Sequence, residues 1–220
     1  MNTVENIKFL GVDRQNYFVH KSCDQYNGGP SIKFVKNQLV PFLKHHRLKT
    51  SEIISDYRQP RHMGTYHACI PGEFDYQSDL PDDIKTGNPW IKCTNSPIWV
   101  RDNIGIPNSK AGLPYQDPEG FTKWLVKEFG KPGPNNTIIV FGLTLDCCIL
   151  ALVQELYWRG YYTKVLVEGT DVMPGPDQGK LKKQIISGGI YKAWMKFIEF
   201  KELKETIGNG KTIDSNIKQL

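Results

Sequence analysis

Two adjacent cysteines stand where a short apolar run gives way to a helical pattern. Residues 137–141 read as a buried strand, and from position 149 the apolar side chains recur at helical spacing, at Ile149, Leu152, Val153 and Leu156. Cys147 and Cys148 therefore precede the helix, where backbone N–H groups lack partners and the helix dipole is positive. A thiol placed there tends to lose its proton, and a thiolate is a nucleophile. A buried cysteine can equally act as a small apolar filler, so these residues alone leave both readings open.

Charged residues follow or end three further apolar segments. Asp13 closes a predicted strand at residues 7–13, Asp56 lies near the end of another at residues 52–57, and Lys92 lies within a short strand at residues 89–93. Right-handed crossovers between parallel strands bring their carboxyl ends to one edge of the sheet. We therefore expect these three side chains to lie along the same edge as the cysteine turn.

These groups suit the hydrolysis of a carbon–nitrogen bond. Asp13 can accept the thiol proton, and the charge of Lys92 can stabilise the thiolate. The backbone N–H groups of Thr144 and Cys148 can hold the oxyanion that forms when sulfur attacks a carbonyl carbon. An amine or ammonia then leaves, and water releases the acyl group from sulfur.

Strands alternating with helices predict an α/β protein with three layers, a central, mostly parallel sheet covered on both faces. One helix is predicted to start at Ser31 and to kink or restart at Pro41, and another covers residues 121–129. Gly142 is expected to end the strand before the cysteines. Residues 105–119 look irregular.

A long polar loop at residues 58–85 carries His62 and His67. Their spacing matches no metal-binding template, so we interpret them as solvated or hydrogen-bonded histidines. We assign residues 1–204 to one domain and residues 205–220 to a polar C-terminal tail.

Composition narrows the class of protein. The chain has 220 residues, 39% of them hydrophobic, which suits one domain with a full core. The net charge of +5 is too small to indicate nucleic-acid binding by itself. The five cysteines show no regular spacing, and no apolar run approaches membrane-spanning length. These features predict a soluble protein of a reducing compartment, most simply the cytoplasm.

Three segments together resemble the isochorismatase-like cysteine hydrolases, the superfamily that includes nicotinamidases, carbamoylsarcosine amidases and isochorismatase. GVDRQNYF at residues 11–18 resembles the opening that carries the catalytic aspartate, and IKCTNSPIW at residues 91–99 resembles the lysine segment. FGLTLDCCI at residues 141–149 is similar to the nucleophile turn, and its spacing selects Cys148 rather than Cys147.

The resemblance implies a Rossmann-type isochorismatase-like fold with a catalytic triad of Asp13, Lys92 and Cys148. It also implies an oxyanion site at the N–H groups of Thr144 and Cys148, and a non-proline cis peptide bond between Leu143 and Thr144. Four nearby side chains are expected to line the substrate pocket: Gln15, Phe18, Tyr57 and Trp99.

The sequence departs from the metal-binding members of that superfamily. Nicotinamidases carry an Asp-x-His motif, whereas Asp56 is followed two positions later by Arg58. We therefore expect no catalytic metal and no other cofactor, and nicotinamide becomes a less favoured substrate. Whether Asp56 or the nearby histidines bind a metal stays open.

The predicted function is that of an amidase-like hydrolase acting on a small molecule, and relatives suggest a homo-oligomer. One alternative is a family member that has lost turnover and serves as a binding protein. Another is nucleic-acid binding through the lysine-rich residues 180–204, but a charge run is more often a solvated face, so neither nucleic acid nor membrane is expected as a partner.

Overall fold

A parallel sheet forms the central layer of the protein. This computed structural model describes residues 7–61, 65, 67–133 and 136–208. The strands in that part of the chain are β1 (Ile7–Val12), β2 (Thr50–Ser55), β3 (Trp90–Lys92), β4 (Trp99–Arg101), β5 (Pro114–Gln116), β6 (Thr137–Leu143), β7 (Tyr162–Asp171) and β8 (Lys196–Ile198). Six of them form one sheet in the order β3-β2-β1-β6-β7-β8, with every neighbouring pair parallel. β4 and β5 form a separate antiparallel pair.

Helices connect these strands. They are α1 (Asn16–Val19), α2 (Pro30–Phe34), α3 (Val40–His45), α4 (Pro118–Phe129), α5 (Cys148–Trp158), α6 (Gln178–Ser187) and α7 (Phe200–Gly208). None of the helices in the described ranges has the length and apolar character that crossing a bilayer requires.

Side chains of the central strands alternate between two apolar clusters. Phe9 of β1 and Ile139 of β6 belong to one cluster, whereas Leu10 and Val140, the next residues along, belong to the other. Helices α4 and α5 complete the cluster around Leu10, and helices α3 and α7 complete the cluster around Phe9. The resulting three-layer α/β/α arrangement confirms the fold class predicted from the sequence.

The strand before the cysteines is longer than its apolar run indicates. β6 continues through Gly142 to Leu143, so the expectation that Gly142 ends the strand is wrong. Gly142 has φ +122°, and a Cβ atom there would lie 2.0 Å from the carbonyl oxygen of Val12. Only glycine permits this close approach of β6 to β1, and it lets the chain reach the edge of the sheet still paired.

Pro41 restarts a helix, as predicted. A π-helical segment, Val35–Leu39, separates α2 from α3, and Pro41 falls in the first turn of α3. Proline is tolerated in a first helical turn because it lacks only a backbone N–H that would have no helical partner there. The helix begins after Gly29 with Pro30, one residue before the predicted cap Ser31.

Two other predictions about loops and ends need correction. Part of residues 105–119, predicted to be irregular, forms β5, where Tyr115 pairs with Val100 of β4. Helix α7 crosses the predicted domain boundary at residue 204, and its Ile207 is buried in the core. The predicted tail therefore begins no earlier than the end of α7, and residues 209–220 lie outside the described residues.

Candidate active site

A cavity of about 240 Å³ opens at the carboxyl edge of the sheet, where β1 and β6 end. Its polar lining includes Asp13, Tyr57, Arg61, Asn95, Thr144, Cys147 and Cys148, and its apolar lining includes Phe18, Leu143, Met173 and Pro174. This is the edge at which open α/β sheets bind ligands.

A buried ion pair joins β1 to β3 at this edge. Asp13 follows β1 directly, in the left-handed backbone region (φ +49°) that aspartate tolerates better than most residues. Its Oδ2 accepts a hydrogen bond of 2.9 Å from Nζ of Lys92, the last residue of β3, and both side chains are 1% exposed. Ser55, at the end of β2, donates to Asp13 Oδ1 at 2.7 Å and accepts from Lys92 Nζ at 2.7 Å.

The charge of Lys92 is secured by its neighbours. Burial lowers the pKa of Lys92. The Asp13 carboxylate, together with the nearby Cys148 and Tyr57, raises it by more than burial lowers it, so the pKa lies well above the ordinary value. Lys92 is therefore a permanent cation of the site, held against Asp13 and Ser55.

Cys148 brings its sulfur to this ion pair. It is the first residue of α5, and its Sγ lies 3.5 Å from Lys92 Nζ and 3.7 Å from the Tyr57 hydroxyl. The pKa of the Cys148 thiol is raised to about 12, because burial and the Asp13 carboxylate raise it by more than the Lys92 cation lowers it. The sequence-based expectation that this thiol readily loses its proton is wrong for the resting site, because desolvation of the thiolate outweighs the help of the cation.

The turn between β6 and α5 leaves two N–H groups available. The peptide bond between Leu143 and Thr144 is cis, at the position to which the resemblance points. The N–H groups of Cys147 and Ile149 both donate to the Thr144 carbonyl oxygen, at 3.1 and 3.0 Å. Among the described residues, neither the N–H of Thr144 nor that of Cys148 makes a hydrogen bond. Two unused donors beside the thiol are what an oxyanion site requires.

Asn95 distinguishes the two cysteines. Its Nδ2 donates to Cys147 Sγ at 3.1 Å, and its Oδ1 accepts from Cys148 Sγ at 3.7 Å. Lys92 contacts the sulfur of Cys148. Burial raises the pKa of Cys147 as well, and Asp146 raises it further. The contact with the cation favours Cys148 as the nucleophile.

Two of the four side chains predicted to line the pocket do so. Phe18 and Tyr57 line the cavity, whereas Gln15 and Trp99 are absent from its lining. The Gln15 amide is fully buried, donating to the carbonyl oxygens of Ser55 and Tyr76 and accepting from the N–H of Ser55. It therefore fixes the end of β2 beside Asp13. Trp99 belongs to the β4–β5 hairpin.

Sequence reasoning missed three residues of the site: Ser55, Arg61 and Asn95. Ser55 ends β2 immediately before Asp56, so the strand-end argument used for Asp56 applied to it as well. Asn95 lies within the lysine segment that carries the family resemblance. Arg61 lies in the polar loop after β2, where no periodic pattern indicates direction.

Asp56 forms a buried ion pair with Arg58. Arg58 donates to both Asp56 carboxylate oxygens, from Nε at 2.9 Å and from Nη2 at 2.7 Å. The same guanidinium donates to the carbonyl oxygens of Asn103 at 2.8 Å and Ser109 at 2.6 Å. The pair thus ties down the loop at residues 103–109.

The described residues contain no group of three or more His, Cys, Asp and Glu arranged to hold a metal ion. His67 accepts a hydrogen bond from the N–H of Gln59 at 3.2 Å. His62 lies outside the described residues.

Comparison with known proteins shows a likeness of structure only. No family model and no curated protein sequence matches the chain. A cysteine hydrolase from Pseudomonas syringae pv. phaseolicola superposes with a TM-score of 0.65 at 13% identity, covering 96% of this chain and 95% of the other. An isochorismatase-like hydrolase from Alkaliphilus metalliredigens gives 0.60 at 13% identity, with 91% and 97% covered. An N-carbamoylsarcosine amidase from Thermoplasma acidophilum gives 0.56 at 12% identity, with 88% and 96% covered. The chain therefore has the fold of the isochorismatase-like hydrolases.

Proposed function

We propose that the protein is a cysteine hydrolase that cleaves a carbon–nitrogen bond of the amide or ureido type in a small molecule. The observation that carries the proposal is the position of Lys92 Nζ, 2.9 Å from Asp13 Oδ2 and 3.5 Å from Cys148 Sγ, behind a cavity that Asp13 and Cys148 line. The names of similar structures, which include an N-carbamoylsarcosine amidase and a pyrazinamidase, support an amidase-like reaction.

The first step is attack by sulfur. Because the pKa of the Cys148 thiol is raised to about 12, the resting enzyme holds the proton on sulfur. As the S–C bond forms, the proton passes to the Asp13 carboxylate, and Lys92 stabilises the charge that remains. The negative charge moves to the substrate oxygen, where the N–H groups of Thr144 and Cys148 receive it.

The second step expels the nitrogen. The C–N bond breaks, and the leaving amine or ammonia takes the proton from Asp13. A water molecule then attacks the thioester, giving its proton to Asp13, and the sulfur leaves and is protonated again. Asp13 thus carries a proton in both halves of the reaction and returns to its starting state.

The test is ammonia release from a panel of small amides, ureas and ureido acids. Cys148→Ala should abolish turnover, and Asp13→Asn and Lys92→Met should lower kcat by about a hundredfold or more, the range typical of acid–base groups. Cys147→Ala is the matched control, and we expect its rate to stay within about tenfold of wild type because its sulfur lies outside the ion pair.

A covalent intermediate gives a second readout. Mass spectrometry of the protein quenched during turnover should show an acyl adduct on the peptide that contains Cys148. If Cys147→Ala loses turnover and Cys148→Ala keeps it, the nucleophile is misassigned. If a compound binds the cavity and no member of the panel is turned over, the protein is a binding protein and the hydrolase proposal fails.

A further inference from the structure

The cavity contains an arginine that the reaction above does not use. Arg61 lines the cavity, and its guanidinium lies over the Tyr57 ring, with Cζ 3.8 Å from the ring centroid. The hydroxyl of that ring lies 3.7 Å from Cys148 Sγ. The cation is therefore one tyrosine ring away from the nucleophile.

Two nitrogens of this guanidinium have no acceptor. Nε and Nη1 of Arg61 are buried, and neither donates a hydrogen bond to any described residue. Arg58 and Arg159, by contrast, each form an ion pair with a carboxylate, and Arg14 pairs with Asp79 although its Nη1 has no acceptor. Arg101 also has nitrogens without acceptors, but it does not line the cavity. A buried guanidinium N–H without a partner is destabilising, which indicates that a ligand supplies the acceptor.

The charge balance of the cavity agrees with this reading. Among the described residues that line it, Asp13 and Arg61 are the charged ones. Asp13 is already neutralised by Lys92 at 2.9 Å, so Arg61 leaves the cavity with one positive charge in excess. An anionic group brought next to Arg61 would balance that charge.

We propose that the substrate carries a carboxylate that binds Arg61 while its amide or ureido carbon lies at Cys148. This inference rests on the proposed function and names the substrate class of that site. Guanidinium N–H groups form short, charge-assisted hydrogen bonds with carboxylate oxygens, so a carboxylate would supply an acceptor that Nε or Nη1 of Arg61 lacks. The volume of about 240 Å³ suits a small acid, and Phe18 and Met173 supply apolar contact for the short segment between its two polar ends.

Alkylation of Cys148 tests the anion site without requiring turnover. The wild-type protein is treated with iodoacetate and iodoacetamide, and with 3-iodopropionate and its amide, and modification of Cys148 is followed by peptide mass spectrometry. The ratio of acid to amide rates should fall by about ten- to a hundredfold in Arg61→Met, the loss expected for a charge-assisted hydrogen bond. Lys127→Met is the control: it removes the same charge from an exposed position of α4 and should leave the ratio unchanged.

Substrate pairs test the inference under turnover. N-carbamoylglycine, which water converts to glycine, carbon dioxide and ammonia, is compared with its methyl ester, from which the charge is absent. In wild type kcat/KM for ammonia release should favour the acid, and Arg61→Met should lose that preference mainly through KM, with Arg61→Lys recovering part of it.

The outcomes separate the two proposals. An alkylation ratio that Arg61→Met leaves unchanged overturns the anion site, whatever the protein hydrolyses. A ratio that falls in Arg61→Met, in a protein that hydrolyses no amide or ureido acid, supports the anion site and overturns the hydrolase. Equal kcat/KM for the acids and their neutral esters overturns the carboxylate as the recognised group.

Discussion

Neutralising both partners of the Asp13–Lys92 pair should cost less stability than the sum of the two single losses. Lys92→Met removes the cation that pairs with Asp13, whose side chain is only 1% exposed. Of the two described donors to this carboxylate, the Ser55 hydroxyl remains. Removing one partner of a buried pair costs about 3–5 kcal/mol of unfolding free energy. Asp13→Asn leaves Lys92 with Ser55 and Tyr57 as neutral acceptors at 2.7 and 3.0 Å, so we expect a loss of the same order.

The double variant Asp13→Asn/Lys92→Met leaves no buried charge in the pair. If the two losses were additive, they would sum to about 6–10 kcal/mol, which exceeds or equals the total stability of many domains. With coupling of about 0.5–3 kcal/mol between contacting residues, the double variant should lose about 0.5–3 kcal/mol less than that sum.

Urea unfolding at neutral pH measures the unfolding free energy of the wild type, the two single variants and the double variant. The dependence of that free energy on urea concentration should have the same slope in all four proteins. Strict additivity, or single variants that lose under about 1 kcal/mol, would refute the reasoning that this pair is a desolvated ion pair. All three variants should lose about a hundredfold or more in kcat, so one set of proteins reports on both stability and activity.

Three further predictions concern other parts of the molecule. Gly142→Ala places a Cβ 2.0 Å from the Val12 carbonyl oxygen at φ +122° and should lower the unfolding free energy by about 2–4 kcal/mol in urea melts; an unchanged midpoint would contradict the close approach. Arg58→Met leaves Asp56 buried without its cation and should cost about 3–5 kcal/mol while speeding hydrogen exchange at residues 103–109, and Arg58→Lys should rescue it poorly because one ammonium cannot reproduce the two bonds at 2.9 and 2.7 Å. Because the pKa of Cys148 is raised to about 12, its thiolate fraction should rise about tenfold per pH unit, and iodoacetamide alkylation should still be climbing at about pH 10; a rate that levels off near about pH 9.5, as an ordinary thiol of pKa about 8.5 gives, would contradict the raised pKa.

The strand-end argument located the Asp13–Lys92 pair and the cysteine turn because the sequence shows at which end of each apolar run the strand stops. Apolar runs at the start of β1 and β6 mark buried parallel strands, and their ends must meet at one edge. That logic reached Asp13, Lys92 and the pair Cys147 and Cys148 without coordinates, and the family resemblance selected Cys148 of the two. It misjudged Gly142, because a glycine interrupts the run of apolar side chains whether or not the backbone stays paired with the neighbouring strand.

The orientation of side chains was much harder to predict. Gln15 and Phe18 lie three residues apart in one motif, yet the amide turns into the protein to bind the backbone of Ser55, and the ring faces the cavity. Arg61 gave no signal because its role depends on stacking over Tyr57, a contact set by how the loop folds back on the end of β2.

By itself, the amino-acid sequence determined the layered α/β architecture, the edge of the sheet where the polar groups meet and the residue types gathered there, because periodicity and strand direction are local properties. Only the tertiary structure decided that the Cys148 thiol rests protonated, that Asp56 is held by Arg58, and that Arg61 leaves the cavity positively charged. Those properties depend on burial and on distances between residues far apart in the chain. The electrostatic energy of a charge is set by its distance from other charges and from water.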